Sequence, residues 1–275
     1  MFLPTTLKEM KERGWEGADI ILVTGDAYID SPFVGVAVIG QILIKAGYRV
    51  GIIAQPDIRN PQDIGRLGKP ALFWGVTGGC LDSMVANYTA TKKIRNRDDF
   101  TPGGRNVKRP DRAVITYTNL IRSLPGERAP IVLGGVEASL RRIAHYDYWT
   151  DRVRRSILCD APADYLLYGM ADQSILELAA ALRTGSDPHN IRGLCYLSRE
   201  KRTDYLELPP FEAVSSDKDA FIRMFQIFYE HSDPLTVKGL SQRQDSRFLV
   251  QNPPALPLRQ EELDAVHALP FMNDV

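Results

Sequence analysis

Ile131-Val-Leu-Gly-Gly-Val-Glu-Ala-Ser-Leu-Arg-Arg-Ile-Ala-His-Tyr-Asp-Tyr-Trp149 is the stretch whose reading decides the fold. Three apolar residues after Pro130 read as a buried strand and Gly134-Gly135 as the tight turn leaving it. Val136 to Tyr146 then reads as a helix with Glu137 and Ser139 in its first turn. In an open parallel sheet such a junction lies at the carboxyl end of a strand, where free N–H groups and the helix dipole favour a ligand. The two glycines would equally serve to let helix and strand approach closely.

The same unit recurs on both sides. Upstream, Asp19-Ile-Ile-Leu-Val-Thr-Gly25 predicts a strand buried on both faces, followed by a polar loop. Pro32 suits the first turn of the next helix, in which Val36, Ile39, Leu43 and Ala46 recur at helical spacing until Gly47 stops it. Tyr48 to Ala54 is the second strand, and Ala71 to Val76 the third, leaving through Thr77-Gly78-Gly79. A turn-punctuated stretch follows, then a helix over Ala113 to Leu124. Downstream of Ile131 to Leu133, Asp147 to Asp160 reads as an irregular helical stretch and Ala163 to Tyr168 as a strand exiting at Gly169. Gln173 to Leu182 is a helix stopped by Gly185, and Gly193 to Leu197 a peripheral sixth strand. These elements predict an α/β fold, a doubly wound, mostly parallel Rossmann-like sheet of five or six strands over residues 1–205. Residues 206–275 read as a linker carrying one helix, Asp217 to Glu230, with Phe221, Phe225 and Phe228 as its apolar stripe.

Composition narrows the function classes. With 34 basic and 34 acidic residues in 275, overall charge points to no polyanionic partner, membrane surface or disordered tail. Cys80, Cys159 and Cys195 are far apart and odd in number, offering neither a disulfide framework nor a metal-binding pair. No export signal and no run of eighteen apolar residues is present, so the expected compartment is the cytoplasm, with no membrane partner. His145, His189, His231 and His267 are dispersed, which excludes a zinc site or a nucleophilic triad built on them.

Because the clear strands leave through glycine-bearing loops, those loops should gather on one rim of the sheet. The expected pocket there comprises Gly25, Asp26, Asp30, Gly134, Gly135, Glu137, Ser139 and Gly169, with Arg141 and His145 on its wall if their helix face turns inward. Its carboxylates favour a ligand that donates hydrogen bonds over a bare phosphate. Filling of the crevice by residues 80 to 112 would end this expectation. Asp30-x-Pro32-x-x-Gly35 has the spacing of the Asp-x-His-x-x-Gly loop of cobalamin-binding Rossmann domains, with proline in place of histidine. It reads either as a corrinoid site lacking histidine coordination or as an Asp capping a helix that begins with Pro. One local charge excess stands out: eight Lys or Arg against three acids over residues 92–112. With Arg141, Arg142 and Arg155, it supports an alternative reading as a nucleotide- or RNA-binding module.

Phe2-Leu-Pro-Thr5, Val23 to Asp30, Gly51 to Asp57, Tyr88-Thr-Ala90, Tyr117 to Arg122, Gly134 to Trp149 and Tyr168-Gly-Met170 together resemble the N-terminal region of the YgiQ-type radical SAM proteins. The resemblance runs over at least residues 2 to 200, and the Gly134–Trp149 match is highly specific. It implies an accessory domain preceding a radical SAM barrel in cis, in which Cys-x-x-x-Cys-x-x-Cys binds a [4Fe-4S] cluster that cleaves S-adenosylmethionine. This chain has no such motif and is expected to be inactive alone, as a piece cut just before the barrel. The βα order also resembles the cobalamin-binding domain preceding many such barrels, so a corrinoid is the cofactor implied for this region. Many relatives have His where Ser31 stands, and Gly-Asn-Met-Asp where Gly79-Cys80-Leu81-Asp82 stands.

Overall fold

In a computed structural model describing residues 2–274, the chain divides into two compact units. The first comprises Met1–Glu137, Ala161–Ala163 and Leu258–Val275, and the second Ala138–Asp160 and Asp164–Pro257. This division differs from the expected boundary at residue 205.

The first unit begins with α1 (Leu7–Glu12), fixed by a capping box between Thr6 and Glu9. Its strands are β1 (Ile20–Thr24), β2 (Val50–Ala54), β3 (Phe73–Thr77) and β4 (Ile131–Leu133), and its helices α2 (Gly35–Lys45), α3 (Ser83–Asn87) and α4 (Ala113–Ser123); α5 (Gly135–Leu140) follows β4. All five residues of β1 are buried, as its unbroken apolar run requires of a strand covered on both faces. The four strands are parallel in the order β2-β1-β3-β4, with Leu22 opposite Ile52 on one side and Gly75 on the other. Two small residues show how both faces are covered. Leu22 approaches Gly40 of α2 on one face, and Leu67 lies against Gly51 on the other. Winding runs outward to β2 and then back across to β3, so the order reverses between β1 and β3. Ligands of doubly wound sheets sit at the strand ends at such a reversal. The final segment returns here, where Asp30 bonds Asp274 and Asn273 through the backbone.

The second unit holds a ribbon of β5 (His145–Asp147) and β6 (Arg152–Arg154), then α6 (Ile157–Asp160), β7 (Tyr165–Leu167), α7 (Asp172–Thr184) and β8 (Leu194–Ser198). They are followed by β9 (Leu206–Leu208), α8 (Phe211–Ser216), α9 (Lys218–Glu230) and the hairpin β10 (Leu240–Gln244) and β11 (Arg247–Gln251). The last helix of the chain, α10 (Gln260–His267), belongs to the first unit. Strand order in the second unit is β7-β8-β11-β10-β9, and the β7–β8, β8–β11 and β10–β11 pairs are antiparallel.

Four expectations are corrected here. The helix from Val136 stops at Leu140, and His145–Asp147 is extended, because Ile143 and Ala144 turn inward and the Ala144 N–H donates to Gln242 Oε1 at 3.0 Å. β8 is not peripheral, having partners on both edges. The expected linker contains a hairpin, turned at Asp245 with φ of 54°. On α9 the buried positions are Ala220 and Met224, while Phe225 is exposed.

Candidate functional site

The parallel strands of the first unit bring several sequence-selected residues to one rim. Gly25 ends β1 so close to the end of β3 that an added Cβ would lie 2.3 Å from the Gly78 carbonyl oxygen. Gly134 N–H donates to the Val76 carbonyl at 2.9 Å, and Gly135, with φ of 78°, would place a Cβ 2.3 Å from Thr77 Oγ1. The glycines thus let three strand exits converge at the reversal point, where bulkier residues would hold them apart.

Between them lies Arg109, whose side chain is 0% exposed. Its Nη1 donates to Asp26 Oδ1 at 2.5 Å and to the Gly78 carbonyl at 2.7 Å, and its Nη2 reaches both Asp98 oxygens at 3.1 Å. The Cys80 N–H donates to Asp26 Oδ2 at 2.6 Å, while Phe100 N–H and the Thr101 hydroxyl satisfy Asp98. Gln55 then ties the Gly25 carbonyl to Thr101 Oγ1. Burial acts against the charge on Arg109, but the two carboxylates outweigh it and raise the guanidinium pKa. Arg109, from the segment that sequence suggested as a nucleic-acid contact, is therefore folded into the crevice as a plug, while Lys92, Lys93, Arg95, Arg97, Arg105 and Lys108 of that segment stay exposed. Arg95 of the same segment also donates to backbone, at Val85 and Tyr88.

The other two carboxylates of the expected pocket are likewise engaged. Asp30, wholly buried, accepts from the Tyr28 hydroxyl at 3.0 Å, Gln41 Nε2 at 3.2 Å and Met272 N–H at 2.9 Å. It caps no helix, since α2 begins at Gly35 with Val34 before it. Glu137 accepts from Ser83 N–H at 2.9 Å and Val114 N–H at 3.2 Å, satisfying the starts of α3 and α4. The crevice so formed already holds the Arg109 side chain. The Asp30 loop has Pro32 where an imidazole would stand, so histidine coordination from this loop is absent.

Ser139, Arg141, His145 and Gly169 belong to the second unit. The Gly169 N–H donates to Ser139 Oγ at 3.3 Å, so the structure brings these two together. Arg141 and His145 share no helical face, because His145 lies on β5. His145 Nδ1 faces the Ile143 carbonyl at 3.1 Å, and Nε2 is buried without a partner among the described residues. Burial pushes the imidazole down to about 4, opposed by the Ile143 carbonyl and Asp147 and reinforced by Arg141 and Arg154. His145 is thus a neutral, structural ring. The unfolded chain takes up this proton near the ordinary 6.5 and the folded one only near about 4, so this contribution is complete above 6.5 and falls away as pH drops between those values. Urea unfolding of a His145→Gln variant should accordingly show a shallower loss of stability over this interval than the parent; parallel profiles would refute the assignment.

The three thiols are far from thiolate character: burial raises Cys80 and Cys159 to about 11 and Cys195 to about 12. Among the described residues no group of three His, Cys, Asp or Glu is placed to hold a metal.

Two units of this kind, one with a parallel sheet whose order reverses between β1 and β3 and one with a mixed sheet, define an α/β architecture. The chain belongs to the Radical SAM N-terminal family, whose pattern it matches over residues 2–275. It is 54% identical over its whole length to a UPF0313 protein of Fusobacterium nucleatum, 53% to one of Thermotoga maritima, and 47% over 98% of its length to one of Clostridium botulinum. It covers 48%, 49% and 43% of these proteins, and so spans about half the length of the curated relatives it matches. Among solved structures, 65% of the chain aligns with 28% of TsrM, a radical S-adenosylmethionine methyltransferase from Kitasatospora setae, at 19% identity and a TM-score of 0.43.

Proposed function

We propose that this chain is the N-terminal accessory half of a radical SAM enzyme, acting in cis with a barrel that binds a [4Fe-4S] cluster and cleaves S-adenosylmethionine. The observation that carries this reading is the family match along residues 2–275 in relatives about twice as long. With the switch-point crevice filled by Arg109, we assign no corrinoid there; the domain's part is to present a pre-formed surface to the enzyme's substrate. No helix among the described residues is long and apolar enough to cross a membrane, and on this reading the protein works in the cytoplasm.

Anaerobic reconstitution with iron and sulfide tests the proposal. Residues 1–275 should take up no stoichiometric cluster. A full-length relative such as the Thermotoga maritima protein should take up one and, once reduced, release 5′-deoxyadenosine and methionine from S-adenosylmethionine. A cluster on the shorter chain, or none on the longer, would overturn the assignment.

A further inference from the structure

Arg142, in the second unit, is a cation without a counter-ion. Its Nε donates to Gln251 Oε1 at 3.0 Å and its Nη1 to the Ser139 carbonyl at 2.5 Å, which leaves three of a guanidinium's five N–H donors unspent. The rings of Tyr168 and Phe228 lie against it, each with its centroid 4.5 Å away. No acidic side chain among the described residues pairs with it, in contrast to Arg109, Arg154 and Arg155. Burial lowers its pKa, and the groups that act the other way are Cys195 and Tyr168, both of which are uncharged at neutral pH because burial raises them. A half-buried charge in this state gains most from an anion that arrives from outside.

The neighbouring groups are donors too. Ser139 Oγ accepts from the Gly169 N–H, so its own hydroxyl proton is free to donate outward. Gly169 is exposed, with φ of 71° and open space on the side where a Cβ would stand. With the Gly169 N–H given to Ser139 Oγ, the donors left are the Ser139 hydroxyl and the unspent Arg142 N–H groups, and these favour an acceptor-rich ligand. Since the aromatic rings lie against the guanidinium, its Nη edge is the part left for such a ligand, an approach suited to the two oxygens of a carboxylate or phosphate.

We propose that Ser139, Arg142 and the Gly169 turn form a binding site for the oxyanion of a small ligand, a carboxylate or a phosphate group. The site stands on this geometry and does not depend on the radical SAM assignment. Both of its strands of sequence, Ser139–Arg142 and Tyr168–Gly169, lie in the stretches that carried the family resemblance.

The test titrates the isotope-labelled 275-residue chain with sodium acetate and, separately, sodium phosphate at constant ionic strength set by chloride, following the Gly169 amide and Arg142 Nε–H signals by NMR. Saturable shifts of these signals are expected with at least one anion, with a Kd on the order of millimolar, as a single charge-assisted contact gives. The arm that saturates at lower concentration identifies the class. Arg142→Gln should weaken binding at least about tenfold, the loss of one charge-assisted contact of about 1.4 kcal/mol. Ser139→Ala, which removes only the hydroxyl and keeps the fold if Arg142→Gln does not, should weaken it severalfold. Arg142→Lys, which keeps the charge but not the planar fork, should fall between. Linear, non-saturating shifts with both anions, or unchanged affinity in Ser139→Ala and Arg142→Gln, would overturn the proposal.

Discussion

Replacing Arg109 with leucine should lower stability by about 3–5 kcal/mol, the range expected when one partner of a buried charge cluster is removed. The cost arises less from lost attraction than from what remains: Asp26 and Asp98, with side chains 3% and 2% exposed, would face each other's surroundings without a cation. Urea unfolding of the variant measures it. The triple variant R109L/D26N/D98N, which removes the stranded charges as well, should recover a substantial part of the loss. A cost below about 1 kcal/mol, typical of a solvated pair, would mean that the plug is not the closed structure described.

Gly25→Ala should be nearly as damaging, at about 3 kcal/mol, the upper end of the usual cost of overpacking. Gly25 has an ordinary backbone conformation, so the strain is not conformational. The added methyl would meet the Gly78 carbonyl oxygen at 2.3 Å and Arg109 Nη1 at 3.2 Å, and a backbone carbonyl cannot rotate aside as a side chain could. Strands β1 and β3 would have to part where the plug is held. Gly35→Ala is the matched control: nothing lies within 4 Å of its Cβ position, and in the first turn of α2 alanine should be neutral or stabilising by up to about 1 kcal/mol. Thermal unfolding of both variants settles the contrast, and equal behaviour would remove the close approach from the account.

The first unit was legible in the sequence because its strands are buried on both faces and so appear as unbroken apolar runs, as at Ile20–Thr24 and Ile131–Leu133. In the second unit β7, α7, β8 and α9 were legible, but the hairpin of β10 and β11 was not. β10 reads Leu-Ser-Gln-Arg-Gln, a polar run, yet Ser241, Gln242 and Gln244 are buried, and the two glutamines carry hydrogen bonds. The hairpin's one readable signal was the Asp245-Ser246 pair between two short runs, a turn with Asp in the left-handed region. The site shows a similar split. Spacing placed the glycines on the rim, since strand exits follow from local pattern. It could not reveal that Asp26 has its cation 83 residues away, so a structural ion pair looked like a ligand-binding carboxylate. Arg142 was visible only as half of an arginine doublet, and nothing local distinguishes it from Arg141; its lack of a counter-ion is a property of packing.

The return of the chain's last residues to the first unit sets a timetable for synthesis. Asp30 pairs through its backbone with Asp274, and its carboxylate takes the Met272 N–H, so the edge beside β1 waits for partners made more than a hundred residues after β4. At the usual ribosomal pace of about 5–20 residues per second, that is an interval of roughly 7 to 28 seconds. Throughout it the nascent first unit carries a carboxylate and a stretch of main chain committed to contacts that do not yet exist. This loop is therefore the last part of the first unit to find its native partners.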